Sequence, residues 1–391
     1  MLLLSWSLLV CGLFCHGVYA VGLNRLACQY PSEDPLDGCP ANTILVGPST
    51  NAEVHYSSIQ SAILSLPQDN SSQVILILPG VYTEQVNVTR PGPLTLLGQT
   101  PSPTDQNLNT VSVYWAAVAG PTGDNAYTST LTVAPTLNSS LTGSGPDGNP
   151  VPPGTPFGNS DFRVYNVDFV NDYAPYSDTP SLAVSVSYAN TGFYYCGFYS
   201  YQDTVYIGKL GNAYMYASEI AGQTDFMYGF GTLWVQSSLL SLRSCGGGIT
   251  AWKGTNTTFE NMYGVYIHDS AVKKANETLE IEGECALGRP WNAQMRALFA
   301  NTYLDSSIRS AGYIEWQTTD PRLDFNTTMT EYKNYGPGFN VTGRLDADLT
   351  ATPILTDEEY ATTYASFAQV FQFPLSGAFG NVGWIDELPW S

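Results

Sequence analysis

The chain has 391 residues, 43% hydrophobic and only 12% charged, with a formal net charge of −20. That length supports a sizeable core. The sign of the charge argues against nucleic acid and anionic membranes as partners and suits work in an acidic medium.

Residues 1–20 are an apolar run ending Val18-Tyr19-Ala20, with small residues at the −3 and −1 positions. They read as a secretory signal peptide cut after Ala20. No later run is long enough to span a bilayer. Asn-x-Ser/Thr sequons at Asn70, Asn87, Asn138, Asn256, Asn276, Asn326 and Asn340 fit a secreted, extracellular glycoprotein. Of the cysteines beyond residue 20, Cys28 and Cys39 are close enough in sequence to pair. Cys196 sits in strand-like sequence and reads as a buried thiol, with Cys245 and Cys285 left open.

Next comes "SSIQSAILSLP". Ile59, Ile63 and Leu66 share one face, Ser57 or Ser58 can cap the start, and Pro67 stops it, so a helix is expected here. "VILILPGVYTEQVNV" follows as strand, turn, strand. Residues 100–160 are rich in Pro, Gly, Asn and Thr and read as one long loop excursion. Beyond them a weak repeat emerges: Val164/Val167/Phe169, Phe193/Cys196/Phe198, Met215/Ser218/Ile220, Val235/Ser238/Leu240 and Phe299/Thr302/Leu304. Its first offsets are 29, 22 and 20 residues. Short β segments at this spacing predict an all-β, right-handed parallel β-helix, one strand per sheet per coil. The helix near residue 60 would cap its open N-terminal end. A β-sandwich is the alternative, but hairpin signals are scarce. Residues 21–391 are read as a single domain.

In "YQDTVYIGKLGNAYMYASEIAGQTDFMYG" (201–229), Asp203 and Asp225 are 22 residues apart, as are Cys196 and Ser218. The two carboxylates should therefore stack on adjacent coils, about 4.8 Å apart in the strand-pairing direction. Like charges that close cannot both ionise freely, so one becomes a proton donor and the other an anion. They could equally be ordinary turn or capping residues. "LGRPW" (287–291) adds Arg289, a planar cation able to grip a carboxylate bidentately, and Trp291, a flat apolar wall for a sugar ring. The two histidines beyond residue 20, His55 and His268, lie outside the acidic motifs and read as structural, so neither a metal site nor a histidine-based triad is expected.

These residues carry a resemblance. "SIQSAI", "GVYTE" (80–84), "TLLG" (95–98), "FYYCGFYSYQDTVY" (193–206), "DFMYG" (225–229), "LGRPW", "GYIEW" (312–316) and "EYKNYGPG" (331–338) occur in the order seen in pectin methylesterases, carbohydrate esterase family 8, of fungal type. The chain resembles that family over most of residues 50–340. The resemblance implies hydrolysis of galacturonate methyl esters in pectin (homogalacturonan), without metal or organic cofactor; a monomer is expected. It implies Asp225 as nucleophile, Asp203 as general acid and then base, Arg289 as the partner of Asp225, and Gln202 as an oxyanion donor. Tyr206, Trp291 and Tyr313 fall at positions expected to contact the sugar.

The chain also departs from the family. The position of a second oxyanion glutamine falls on Pro180, Trp252 replaces a polar residue, and Tyr313 replaces a tryptophan. Gln223, two residues before Asp225, is the candidate replacement donor, with a polar ladder along the coil as its other reading. The rival functions are a β-helix glycosidase, whose segments are absent, and a non-catalytic polysaccharide-binding protein that has lost part of the oxyanion hole.

Overall fold

The computed structural model describes residues 25–390 apart from 52, 121–122, 144–147, 256–261, 348–352 and 375. The expected signal peptide (1–20) and the sequon at Asn256 lie outside the described residues. The chain winds through three parallel sheets in turn. The first has ten strands, from Ile44–Val46 to Thr328–Tyr332. The second has eight, from Gly80–Thr83 to Tyr303–Leu304, and the third seven, from Val86–Val88 to Ala286–Gly288. This is the right-handed parallel β-helix that the repeat predicts.

The helix forms as Ile59–Ser65. Ser58 caps it by accepting from the Ser61 N–H. The Glu84 carboxylate accepts from the Ile59 and Gln60 N–H groups at 2.8 and 2.9 Å, placing an anion where the helix presents its free donors. Ile59, Ala62, Ile63 and Leu66 are buried against the first coils and close the core.

The repeat sets the register. Val164, Phe193, Met215 and Val235 stack in pairs, one per coil, and the stack continues through Ile267 to Phe299. Ile267/Ser270/Val272 is thus a further turn of the same pattern. Residues 100–160 are less of an excursion than expected. Val111–Trp115 joins the second sheet and Leu131–Val133 the third, so two coil strands run through that stretch.

From Phe162–Tyr165 to Arg296–Ala300, the chain leaves each strand of the first sheet through one left-handed residue. Asn166, Tyr195, Ala217, Ser237, Asp269 and Asn301 all have φ of 46–55°. In the middle coils the serine that follows ties coil to coil. Ser218 accepts from the Cys196 N–H, Ser238 from the Ser218 N–H and Ser270 from the Ser238 N–H, each at 3.1 Å. Cys196 is the free, buried thiol expected, pushed up to about 12 by desolvation. Cys28–Cys39 forms as expected, and Cys245–Cys285 is a second disulfide.

The C-terminal segment folds back over the outside of the first sheet. Tyr360 stacks on Tyr332, Tyr364 packs on Tyr266, and Phe367 meets Trp234 and Tyr214 edge-on. Asp386 accepts from Tyr165, and Arg25 donates to the Pro389 carbonyl. The outer aromatic row of the sheet is therefore covered. His268 lies in this row, stacked on Trp234 at 3.8 Å and lowered to about 3 by burial. His55 accepts the Leu45 N–H. Both histidines have structural settings.

Candidate active site

The turn from the second sheet to the third also uses left-handed residues, but fills them differently. Asp203 (φ 61°), Asp225 (φ 47°) and Gly247 (φ 64°) follow one another on successive coils. Asp is among the few non-glycine residues that tolerate this conformation. The coils are locked in register here. The Asp203 N–H donates to Thr224 O at 3.1 Å, and the Asp225 N–H to Gly248 O at 2.8 Å. The two carboxylates are stacked neighbours, as the 22-residue offset requires, and both are buried.

Arg289 reaches Asp225 with both arms. Nε lies 3.0 Å from Oδ1 and Nη2 2.7 Å from Oδ2. Such a planar fork is stronger and more directional than a point cation. The Gly248 N–H adds a third donor to Oδ1 at 3.1 Å. Gly247 makes the arrangement possible, because a Cβ there would stand 2.6 Å from Asp225 Oδ1 and 2.8 Å from the guanidinium. Asp203 is in the opposite condition. Burial, and then the charge of Asp225, hold its carboxyl well above the usual carboxylate range, against the opposing pull of Arg289 and Lys253. One carboxyl is thus pushed toward its protonated form beside another that is gripped by a guanidinium.

Several neighbours were not legible in the sequence. Asn125 Nδ2 donates to Asp203 Oδ2 at 3.1 Å and to Tyr228 Oη at 3.2 Å. Ser177 binds two glutamines at once. Its Oγ donates to Gln202 Oε1 at 2.9 Å, and its N–H to Gln223 Oε1 at 3.1 Å. Both residues come from connections between strands, where no fixed spacing marks them. Gln223 is not aligned with Asp225 along an extended strand, since the strand Glu219–Thr224 ends before Asp225 and Asp225 is left-handed. Ser177 brings Gln223 next to Gln202 instead. Pro180 has no N–H and no side-chain donor, and its carbonyl accepts from Ala119.

An aromatic bank flanks the carboxylates. Tyr206, Tyr228 and Phe230 form one buried cluster, with Trp291 and Trp316 packed on it. Trp291 lies 5.3 Å from Tyr228, and Lys253 Nζ is 3.2 Å from its ring centre. Trp316 carries the guanidinium of Arg289 at 4.0 Å. Tyr206 is fully buried and forms the floor of the bank, beneath the surface that Trp291 presents. Tyr313 must be corrected. It points into the β-helix core, edge-on to Phe299, and donates to Thr330 O. Gly312 (φ 72°) turns the chain there, so Tyr313 goes inward while Ile314 faces the second-to-third turn.

Comparison with known proteins agrees with this fold. The pectinesterase family model matches residues 157–370. A probable pectinesterase A of Aspergillus oryzae is 26% identical over 341 residues, covering 86% of this chain and 93% of that protein. The pectinesterase of Aspergillus aculeatus is 29% identical, covering 81% and 89%. Among solved structures, pectin methylesterase from Aspergillus niger superposes with a TM-score of 0.66 at 22% identity, covering 89% of this chain and 97% of that one. The carrot enzyme gives 0.64 at 18% identity, with 83% and 91% coverage. A further pectin methylesterase, solved in complex with a hexasaccharide, gives 0.61 at 22% identity, with 83% and 96% coverage. With more than half of its length matched by the family model, the chain belongs to the pectinesterase family and is a carboxylic ester hydrolase of its fungal type.

Proposed function

We propose that this protein is a secreted, glycosylated esterase that hydrolyses galacturonate methyl esters in pectin and releases methanol. The observation that carries the reading is the contrast between stacked neighbours: Asp225 gripped bidentately by Arg289, and Asp203 held protonated beside it. An Asp225 oxygen attacks the ester carbonyl carbon. The C–O bond to methoxy breaks, Asp203 gives its proton to the departing oxygen, and methanol leaves. An acyl link to Asp225 remains. Asp203, now a carboxylate, takes a proton from water, whose oxygen attacks the acyl carbon. That step frees the uronic acid and restores both aspartates. Asn125 holds Oδ2 of Asp203, which leaves Oδ1 to carry the proton.

The oxyanion needs donors, and Pro180 supplies none. The Ser177 N–H can only donate, so Gln223 must present Oε1 to it and turn its NH₂ to the far side. Gln202, bound to the Ser177 hydroxyl through Oε1, does likewise. Two amide N–H donors of this kind restore the stabilisation that the proline position lacks. Trp291 offers its face to a sugar ring. The test is methanol release from highly methylated pectin by the wild type and Asp225→Asn. Asn keeps the size and tolerance of the left-handed turn, so the variant should fold normally and release at least about 1000-fold less methanol. Equal release by the two proteins would sink the reading.

A further inference from the structure

Trp252, where the chain departs from the family, ends the strand Gly248–Trp252. Its ring lies in the β-helix core and donates through Nε1 to Gly231 O at 3.0 Å. In extended chain the next residue faces the other way. Lys253 therefore leaves the core for the aromatic bank, and it too is fully buried. Its Nζ lies 3.2 Å from the ring centre of Trp291 and 4.6 Å from that of Phe230. The backbone brings the three together. The Lys253 N–H donates to Gly229 O at 3.0 Å and the Trp291 N–H to Trp252 O at 3.2 Å. Phe230, Lys253 and Trp291 thus follow the third-sheet strands of three successive coils.

An ammonium taken out of water needs compensation. The two aromatic faces supply part of it, and the paired carboxyls lie close enough to feel its charge. The charged and titratable groups facing Asp203 are Asp225, Arg289, Lys253 and Tyr228, with Asp124 behind Tyr228. Burial and then Asp225 push the Asp203 carboxyl up, while Arg289 and Lys253 pull it down. Arg289 is already matched by Asp225, which it grips with both arms. Lys253 adds a positive charge that is not paired with Asp225.

We propose that Lys253 is a positioning residue for the reaction: its ammonium fixes the Trp291 ring for the sugar, and its charge favours the carboxylate form that Asp203 must pass through. The proposal rests on the esterase reading above. Trp291 is half-buried, so part of the indole is covered by the cation and the bank and part is left to the cleft. A ring held on one side by a cation keeps one orientation at little entropic cost to the arriving sugar. In the proposed cycle Asp203 gives its proton to methoxy and then stands as a carboxylate until water attacks. A nearby positive charge eases that ionisation in a site from which water is excluded.

Lys253→Met keeps an unbranched stem and removes the charge, and Lys253→Arg keeps the charge. Methanol release from methylated pectin is followed across pH for wild type and both variants, with melting temperature to report folding. Lys253→Met should raise KM about fivefold. Its alkaline limb should move to higher pH, because Asp203 then keeps its proton longer. Lys253→Arg should return the limb toward the wild-type position. A Lys253→Met protein with unchanged KM and an unchanged limb overturns the proposal. So does one that loses only kcat and melting temperature, the result a plain packing role gives. Calorimetric binding of fully methylated trigalacturonate to Asp225→Asn, with and without Lys253→Met, reads the hold on Trp291 without turnover. Lys253→Met should weaken that binding about fivefold, and equal binding overturns the proposal. A wild type that releases no methanol, together with that loss of binding, overturns the esterase reading and leaves the hold of Lys253 on Trp291 standing.

Discussion

The β-helix makes the same left-handed turn at two of its corners and uses it for opposite ends. At the corner between the first and second sheets, the left-handed residue varies freely among Asn, Tyr, Ala, Ser and Asp, and the residue after it is hydroxylated or a thiol from Cys196 to Thr302, with Val167 in that place one coil earlier. That second residue satisfies a buried N–H of the coil before. At the corner between the second and third sheets, the left-handed position itself holds the groups proposed to react, Asp203 and then Asp225, and the next coil has glycine. One corner invests the turn in binding its coils together. The other leaves carboxylates poorly solvated and close, a condition that costs stability and creates reactivity.

The comparison breaks if substitutions at the two corners behave alike. The largest contrast should come from Asp203→Asn, which removes the proposed proton donor and should lower kcat on methylated pectin about 100-fold or more. Its pH behaviour sharpens the point. The native Asp203 keeps its proton above the pH at which the unfolded chain loses it. Activity that needs the proton should therefore decline as pH rises through the raised native value, and the variant should lose this alkaline limb. Stability follows the same sign. From the ordinary carboxylate value upward, the unfolded state sheds a proton that the native state holds, so stability falls with pH until the native group ionises. Asp203→Asn should flatten that slope in denaturant titrations run across the window.

A smaller effect should follow from Gln223→Ala and Ser177→Ala. If the glutamine amides serve the oxyanion, each variant should lose about tenfold in kcat with KM and melting temperature little changed. An unchanged kcat in Gln223→Ala would leave Gln223 as a coil hydrogen bond and nothing more. The smallest effect on activity should come from the other corner. Ser238→Ala strips the acceptor from the buried Ser218 N–H and should cost about 1–3 kcal/mol of stability, with kcat within about twofold of wild type. A large kcat loss there would mean that the two corners are mechanically coupled.

Much of the fold was legible because a solenoid writes its register into the sequence. Phe193, Met215 and Val235 recur with their coil partners, so the offset that stacks the core also stacks Asp203 on Asp225. Arg289 was legible through its motif and by the chemistry of its fork. What the sequence hid was whatever arrives from connections of variable length. Ser177 and Asn125 sit at no repeating distance from the residues they hold. Gly247 became informative only once its missing Cβ was seen to clear the Asp225–Arg289 pair. Tyr313 was misplaced because it stands where the resemblance puts a sugar-contacting tryptophan, whereas after the left-handed Gly312 its side chain enters the core. The strands within 100–160 escaped notice because Pro, Gly and Asn dominate the stretch and only short apolar runs, such as Val111 to Val113, mark the coils.

The C-terminal segment bears on how this molecule comes apart. A solenoid whose coils touch only their neighbours can fray from either end, one turn at a time. Here the last stretch of chain retraces the stack, from Tyr360 at the final coils to Asp386 on Tyr165 and Pro389 against Arg25 near the first. Terminal coils are thereby bolted to one another through a common external strut. Loss of either end must release contacts along the whole length, so melting becomes a single cooperative event rather than a progressive unzipping. A chain cut before residue 357 would keep every strand of the stack and yet melt gradually.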